Sequence, residues 1–105
     1  MKQKQNENVV RILEVDKTIH EPARMVILSF LYVLKEADFL FLLSQTGLTQ
    51  GNLSSHLTRL EDAGLIKSKK SFIGRRPRTR LSMTGDGIEK FEAYLDTMKA
   101  FFLEG

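Results

Sequence analysis

Between Thr49 and Ala63 the chain carries a run of short polar side chains that could meet the edges of nucleic-acid bases: Gln50, Gly51, Asn52, Ser54, Ser55, Thr58 and Arg59. The carboxamides of Gln and Asn match the donor–acceptor pair that adenine shows in the major groove, and a guanidinium matches guanine or a phosphate. No acid appears before Glu61, so negative charge stays at the end of the segment away from these groups. A second group of candidates follows. Lys67, Lys69, Lys70, Arg75, Arg76, Arg78 and Arg80 come with no acid among them, although the whole chain nets only +3. The remainder is therefore net acidic, and the molecule has one cationic edge that draws a polyanion before any specific contact forms. Gly74-Arg75-Arg76-Pro77 sets two guanidiniums at a constrained turn within reach of backbone phosphates, with Arg78 and Arg80 as supporting phosphate contacts and the three lysines as general field.

Elements must hold these groups in place, and the apolar spacing predicts which. Leu53, Leu57 and Leu60 recur at i, i+4 and i+7, so 49–63 reads as a helix with Thr49 as its cap, a leucine seat on one side and the polar set opposite. Gly64 closes it. Asp38 caps a preceding helix, Phe39 to Thr46, which stops at Gly47. Pro22 to Leu34 is apolar on several faces and should be the central core helix, after a short helix carrying Val9, Ile12 and Leu13. From Ile66 the pattern turns strand-like: Ile66 to Ile73, a turn over 74–77, then Arg78 to Met83, where Leu81 and Met83 alternate with Arg80 and Ser82. Thr84 caps a last helix, 85–103, whose Ile88, Phe91, Leu95, Met98 and Phe102 are spaced 3, 4, 3, 4 like a coiled-coil seam, so a second copy of the chain is its expected partner. The fold class is mainly α with a small β-hairpin wing: a flexible tail over 1–8, then one domain over 9–105.

Length and composition agree. With 105 residues and 42% hydrophobic content there is core for one domain and no more. No apolar run approaches the roughly 20 residues of a membrane-spanning helix, the start is polar, and cysteine is absent, so the expectation is a cytoplasmic protein without disulfides or thiolate metal sites. No nucleophile with a base, phosphate-cradling glycine loop or pocketed carboxylate pair suggests an enzyme. His56, beside the leucine seat, reads as a packed histidine, and His20 as a helix-boundary residue; neither metal nor cofactor is expected. Leu40, Phe41 and Leu43 exceed what one apolar stripe requires, and are read equally as core or as contact with a partner's terminal helices.

The order of helix, helix, tight turn, helix and basic hairpin is that of a winged helix-turn-helix. The segment from Leu48 to Ile66 resembles the recognition helix of MarR- and ArsR-type winged helix regulators. Phe72 to Thr84 resembles the wing of a small subgroup of that superfamily, and Ile19 to Leu28 is similar to its opening core helix. The resemblance covers about Ile19 to Tyr94. It implies a homodimeric, sequence-specific protein that binds double-stranded DNA as a transcriptional regulator, with 49–63 in the major groove and the wing, 67–83, on the backbone. Metal-sensing members use clusters of cysteine or histidine, whereas only His20 and His56 exist here, so the resemblance does not extend to metal sensing. The alternative is a winged helix used for protein contact without specific DNA binding.

Overall fold

The computed structural model describes residues 5–104. In chain order it contains α1 (Glu7–Leu13), α2 (Pro22–Leu34), β1 (Glu36–Asp38), α3 (Phe39–Thr46), α4 (Gln50–Asp62), β2 (Ile66–Ile73), β3 (Arg76–Met83) and α5 (Gly85–Glu104). The fold is a winged helix-turn-helix, mainly helical with a small β wing. Of the tail expected over 1–8, residues 1–4 lie outside the described residues. Glu7 and Asn8 already belong to α1, which starts where the Asn6 carboxamide oxygen accepts the N–H groups of Asn8 and Val9 (2.8 and 3.3 Å).

Local chemistry starts each central helix. Pro22 supplies a fixed φ in the first turn of α2, and the Glu21 carboxylate caps it by accepting from the N–H groups of Ala23 (3.2 Å) and Arg24 (2.9 Å). The Asp38 carboxylate accepts from the Phe41 N–H at 2.9 Å and starts α3, while the Thr49 hydroxyl oxygen accepts from the Asn52 N–H at 3.1 Å and starts α4. Ile27, Leu28 and Leu31 of α2 are buried together with Leu42 of α3 and Leu53, Leu57 and Leu60 of α4. Ile19, Leu65, Ile66, Leu81, Met83, Phe91 and Tyr94 complete the core. The three α4 leucines alone bury enough apolar surface to contribute about 5–8 kcal/mol to seating that helix.

The sheet is antiparallel with strand order β1-β3-β2. β1 was not visible in the sequence, because three residues with a single buried side chain, Ala37, give no readable alternation. It becomes a strand only by pairing Glu36, Ala37 and Asp38 with Ser82, Leu81 and Arg80. The expected four-residue turn is also shorter: Ile73 pairs with Arg76, so only Gly74 and Arg75 form the loop. Gly74 takes φ +61°, the conformation a two-residue hairpin demands of its first loop position. Pro77 is tolerated inside β3 because β1 reaches only Arg80, leaving β3 with a neighbour on one side at that point.

The start of α5 is fastened to the end of α4. The Thr84 hydroxyl donates to the Gly64 carbonyl at 2.6 Å and also accepts from the Gly87 N–H at 2.9 Å, while the Thr84 N–H donates to the Leu65 carbonyl at 3.0 Å. Gly87 is required by close approach: a Cβ there would lie 1.9 Å from the Leu65 carbonyl oxygen. Along its length α5 packs against α2 through the tilted Tyr32–Phe91 ring pair (5.4 Å) and against α1, where the Asn8 carboxamide donates to the Ala100 carbonyl at 3.4 Å.

Candidate nucleic-acid interface

Leu53, Leu57 and Leu60 turn inward, so the 100° advance per residue turns the polar set of α4 outward. Gln50, Gly51, Asn52, Ser54, Ser55, Thr58 and Arg59 are all exposed, on one solvent-facing side of the helix. The first turn carries no acid, and its N-terminus therefore adds a positive end to the same surface.

The distal part of the hairpin, Phe72 to Pro77, is exposed throughout. Register decides which side chains share a face. Leu81 and Met83 lie inward with Ile66 and Ala37, which leaves Arg76, Arg78 and Arg80 on the opposite face with Lys67 and Lys69. Arg75, in the loop, and Arg76 are exposed. Arg78 and Arg80 are placed differently from the tip arginines. Arg78 Nη2 lies 3.2 Å from Asp38 Oδ2, and Arg80 Nη1 lies 2.6 Å from Glu36 Oε1. Sequence reading missed these two carboxylates because they are remote in the chain and reach the wing only through β1. Both pairs remain partly solvated, where such pairs are worth about 0–1 kcal/mol.

The two histidines are engaged with other side chains. His20 Nδ1 is 2.8 Å from the Tyr94 hydroxyl, at the boundary preceding α2; burial pushes the Tyr94 phenol above its usual range. His56 is part of α4 and its side chain is 23% exposed, with Nδ1 at 3.1 Å from Arg24 Nη1 and 3.7 Å from Glu21 Oε2. For Glu21, partial burial favours the neutral acid but is outweighed by the N–H donors of Arg24 and Ala23 and by the nearby His56 and Arg24, so its carboxyl sits below the usual range. Among the described residues, no group of three or more His, Cys, Asp or Glu side chains could hold a metal ion, and no helix is long and apolar enough to cross a membrane.

The stripe expected to bind a second copy is divided. Phe91 is 2% exposed and stacks on Tyr94 at 6.2 Å inside its own protomer, and Met98 packs against the same core. Ile88, Leu95 and Phe102 remain exposed at 38, 39 and 69%. The physical reason is the 3.6-residue period: positions seven apart drift onto a flank while 87, 91 and 94 point inward. Val9 and Leu13 of α1 are exposed as well, whereas Ile12 is half-buried. Of the extra apolar groups in α3, Leu40 and Phe41 are exposed and Leu43 packs on the core. Phe41 also meets Phe30 edge-on (5.8 Å) beside a groove of about 550 Å³ lined by Met25, Val26, Val33 and Leu34.

A leucine-seated helix with an open polar face, followed by a basic two-residue hairpin, defines a winged helix-turn-helix of the DNA-binding class. Sequence comparison places the chain within it: the profile of the winged helix DNA-binding domain family matches residues 23–102, and the chain belongs to that family. It is 37% identical over 79 residues to an uncharacterized protein of Methanocaldococcus jannaschii, covering 75% of this chain and 86% of that one. The solved structure of a transcriptional regulator homologue from Pyrococcus horikoshii superposes with a TM-score of 0.83 at 34% identity, over 92% of this chain and 95% of the other. A MarR-family transcriptional regulator from Enterococcus faecalis shares the fold at TM-score 0.69 and 20% identity, over 90% and 84% of the two chains.

Proposed function

We propose that the chain acts as a homodimer that binds double-stranded DNA sequence-specifically and regulates transcription, with α4 in the major groove and the wing along the backbone. The observation that carries this reading is the exposure of Gln50, Asn52, Ser55 and Arg59 on a helix seated by three buried leucines, with Arg75 and Arg76 free at the adjoining hairpin tip. The carboxamides supply base-edge readout, and the tip arginines supply charge that holds the register without reading sequence. Arg78 and Arg80 sit beside weak, solvated carboxylate pairs, which a phosphate can displace at small cost.

Dimerisation is supported by the large apolar side chains left open on adjacent elements: Val9 and Leu13 on α1 and Ile88, Leu95 and Phe102 on α5. A two-fold pairing of these faces presents two copies of α4 to half-sites about one helical turn, roughly 34 Å, apart. Selection of bound duplexes from a random library tests the reading. The wild-type protein should enrich a near-palindromic sequence, and Gln50→Ala or Asn52→Ala should relax single base positions at a cost of about 1–3 kcal/mol. A library that emerges unenriched sinks the assignment.

A further inference from the structure

Arg24 is the one buried charged residue among the described residues, at 8% exposed, and its guanidinium is aimed at α4. Its Nε donates to the Thr18 carbonyl at 2.6 Å and its Nη2 to the Lys17 carbonyl at 3.4 Å, which fixes the plane of the group. The remaining direction leads to His56 Nδ1 at 3.1 Å. A guanidinium has five donors and no acceptor, so this contact is a hydrogen bond only if Nδ1 offers a lone pair. The competing partner, Glu21 Oε2, stands 3.7 Å from Nδ1, beyond hydrogen-bonding distance, and that carboxylate already caps α2. The distances therefore point to Nδ1 as the acceptor facing Arg24, with the ring proton on Nε2.

The Nε2–H has no protein partner among the described residues and lies on the side of the ring away from Arg24. His56 is four residues after Asn52 and three before Arg59, so the three share one flank of α4, between the leucine seat and the outward face. The Arg24 cation withdraws electron density from the ring through Nδ1, which strengthens Nε2–H as a donor toward an anion. We propose that His56 is a further DNA-contacting residue, held by the buried Arg24 in the Nε2–H tautomer so that this N–H meets a backbone phosphate beside the reading helix. The order along the chain of groups is guanidinium, imidazole, phosphate. Arg24 touches no DNA in this arrangement and is a positioning residue. The inference rests on α4 being the reading helix.

Two substitutions separate the two ring nitrogens. In His56→Asn the carboxamide oxygen falls near the Nδ1 position, so the Arg24 bond and thermal stability are kept while the outer donor is lost. In His56→Gln the amide nitrogen falls near the Nε2 position, so the donor is kept while the Arg24 bond is lost. With random-sequence duplexes of roughly 30 base pairs, long enough for two half-sites, H56N should bind about tenfold more weakly than wild type. H56Q should bind within about threefold of wild type but melt lower, its change being smaller than a charged-group hydrogen bond. Nitrogen NMR of the free wild-type protein should show His56 protonated at Nε2 and bare at Nδ1. An Nδ1–H tautomer or an imidazolium at neutral pH overturns the lock. H56N binding as tightly as a wild-type protein that does bind overturns the phosphate contact. Wild-type protein that retains no duplex overturns the DNA-binding reading and this contact with it, and the NMR result tells that failure from a failure of the lock.

Discussion

Among the glycines described, Gly87 is the one where an added methyl group meets backbone, so replacing it by Ala should destabilise the protein. The added Cβ would stand 1.9 Å from the Leu65 carbonyl oxygen and 2.8 Å from its carbon, so α5 would have to retreat by about 1 Å from a backbone that cannot rotate away. That retreat pulls on the Thr84 junction, whose hydroxyl and N–H tie Gly64, Leu65 and Gly87 together at 2.6–3.0 Å. Overpacking in a close-packed site costs about 1–3 kcal/mol, and weakening one junction bond adds about 1 kcal/mol. Against this, alanine in a helix gains up to about 1 kcal/mol over glycine, leaving a net loss near 2 kcal/mol. For a domain of this size that lowers the melting temperature by roughly 8–16 °C. Thermal unfolding followed by circular dichroism measures it, with Gly85→Ala as the control, since a Cβ at Gly85 meets nothing within 4 Å. A G87A protein melting at or above the wild-type temperature would refute the reasoning, because it would mean that α5 does not approach Leu65 this closely. Since Thr84 couples the end of α4 to the start of α5, G87A should also weaken DNA binding beyond what its unfolded fraction explains.

The remaining predictions concern charge, assembly and strain. Arg75→Ala with Arg76→Ala should weaken all duplexes about equally and flatten the salt dependence of binding by roughly 2 per protomer, read from affinity against salt concentration; an unchanged slope places the wing tip off the duplex. Leu95→Glu with Phe102→Glu, both on exposed flanks of α5, should yield a folded monomer in sedimentation with weakened binding, whereas Phe91→Glu should unfold the chain, since Phe91 is buried in its own protomer. Lys35 ends α2 at φ +73°, a conformation costly for a side-chain-bearing residue, so Lys35→Gly should raise stability by about 0.5–1 kcal/mol in urea titration; a loss would show that its contact with the Tyr32 ring, 5.7 Å away, outweighs the strain.

Some of this protein was legible before any coordinates. Leucines at i, i+4 and i+7, a threonine cap and a polar remainder are local facts, and local facts determine that 50–62 is a helix with one seated and one open side. The same holds for Asp38 and Thr84 as caps and for the alternation that turns Leu81 and Met83 inward, because dihedral preference and burial period act over a few neighbouring residues. Contacts between distant segments were not legible. β1 exists only because β3 offers it a partner, and with it Glu36 and Asp38 arrive beside Arg80 and Arg78, moderating a wing that looked uniformly cationic. The α5 stripe read as one seam, yet packing against α2 took Phe91 into the protomer and left Ile88, Leu95 and Phe102 on the flank. His56 looked like an ordinary packed residue, and its orientation depends on Arg24, 32 residues earlier in the chain. A one-dimensional pattern reports which side of a helix is apolar; only the tertiary structure, by closing long loops and setting two elements at a given angle, decides which apolar groups find one another and which charges are left to face an outside partner.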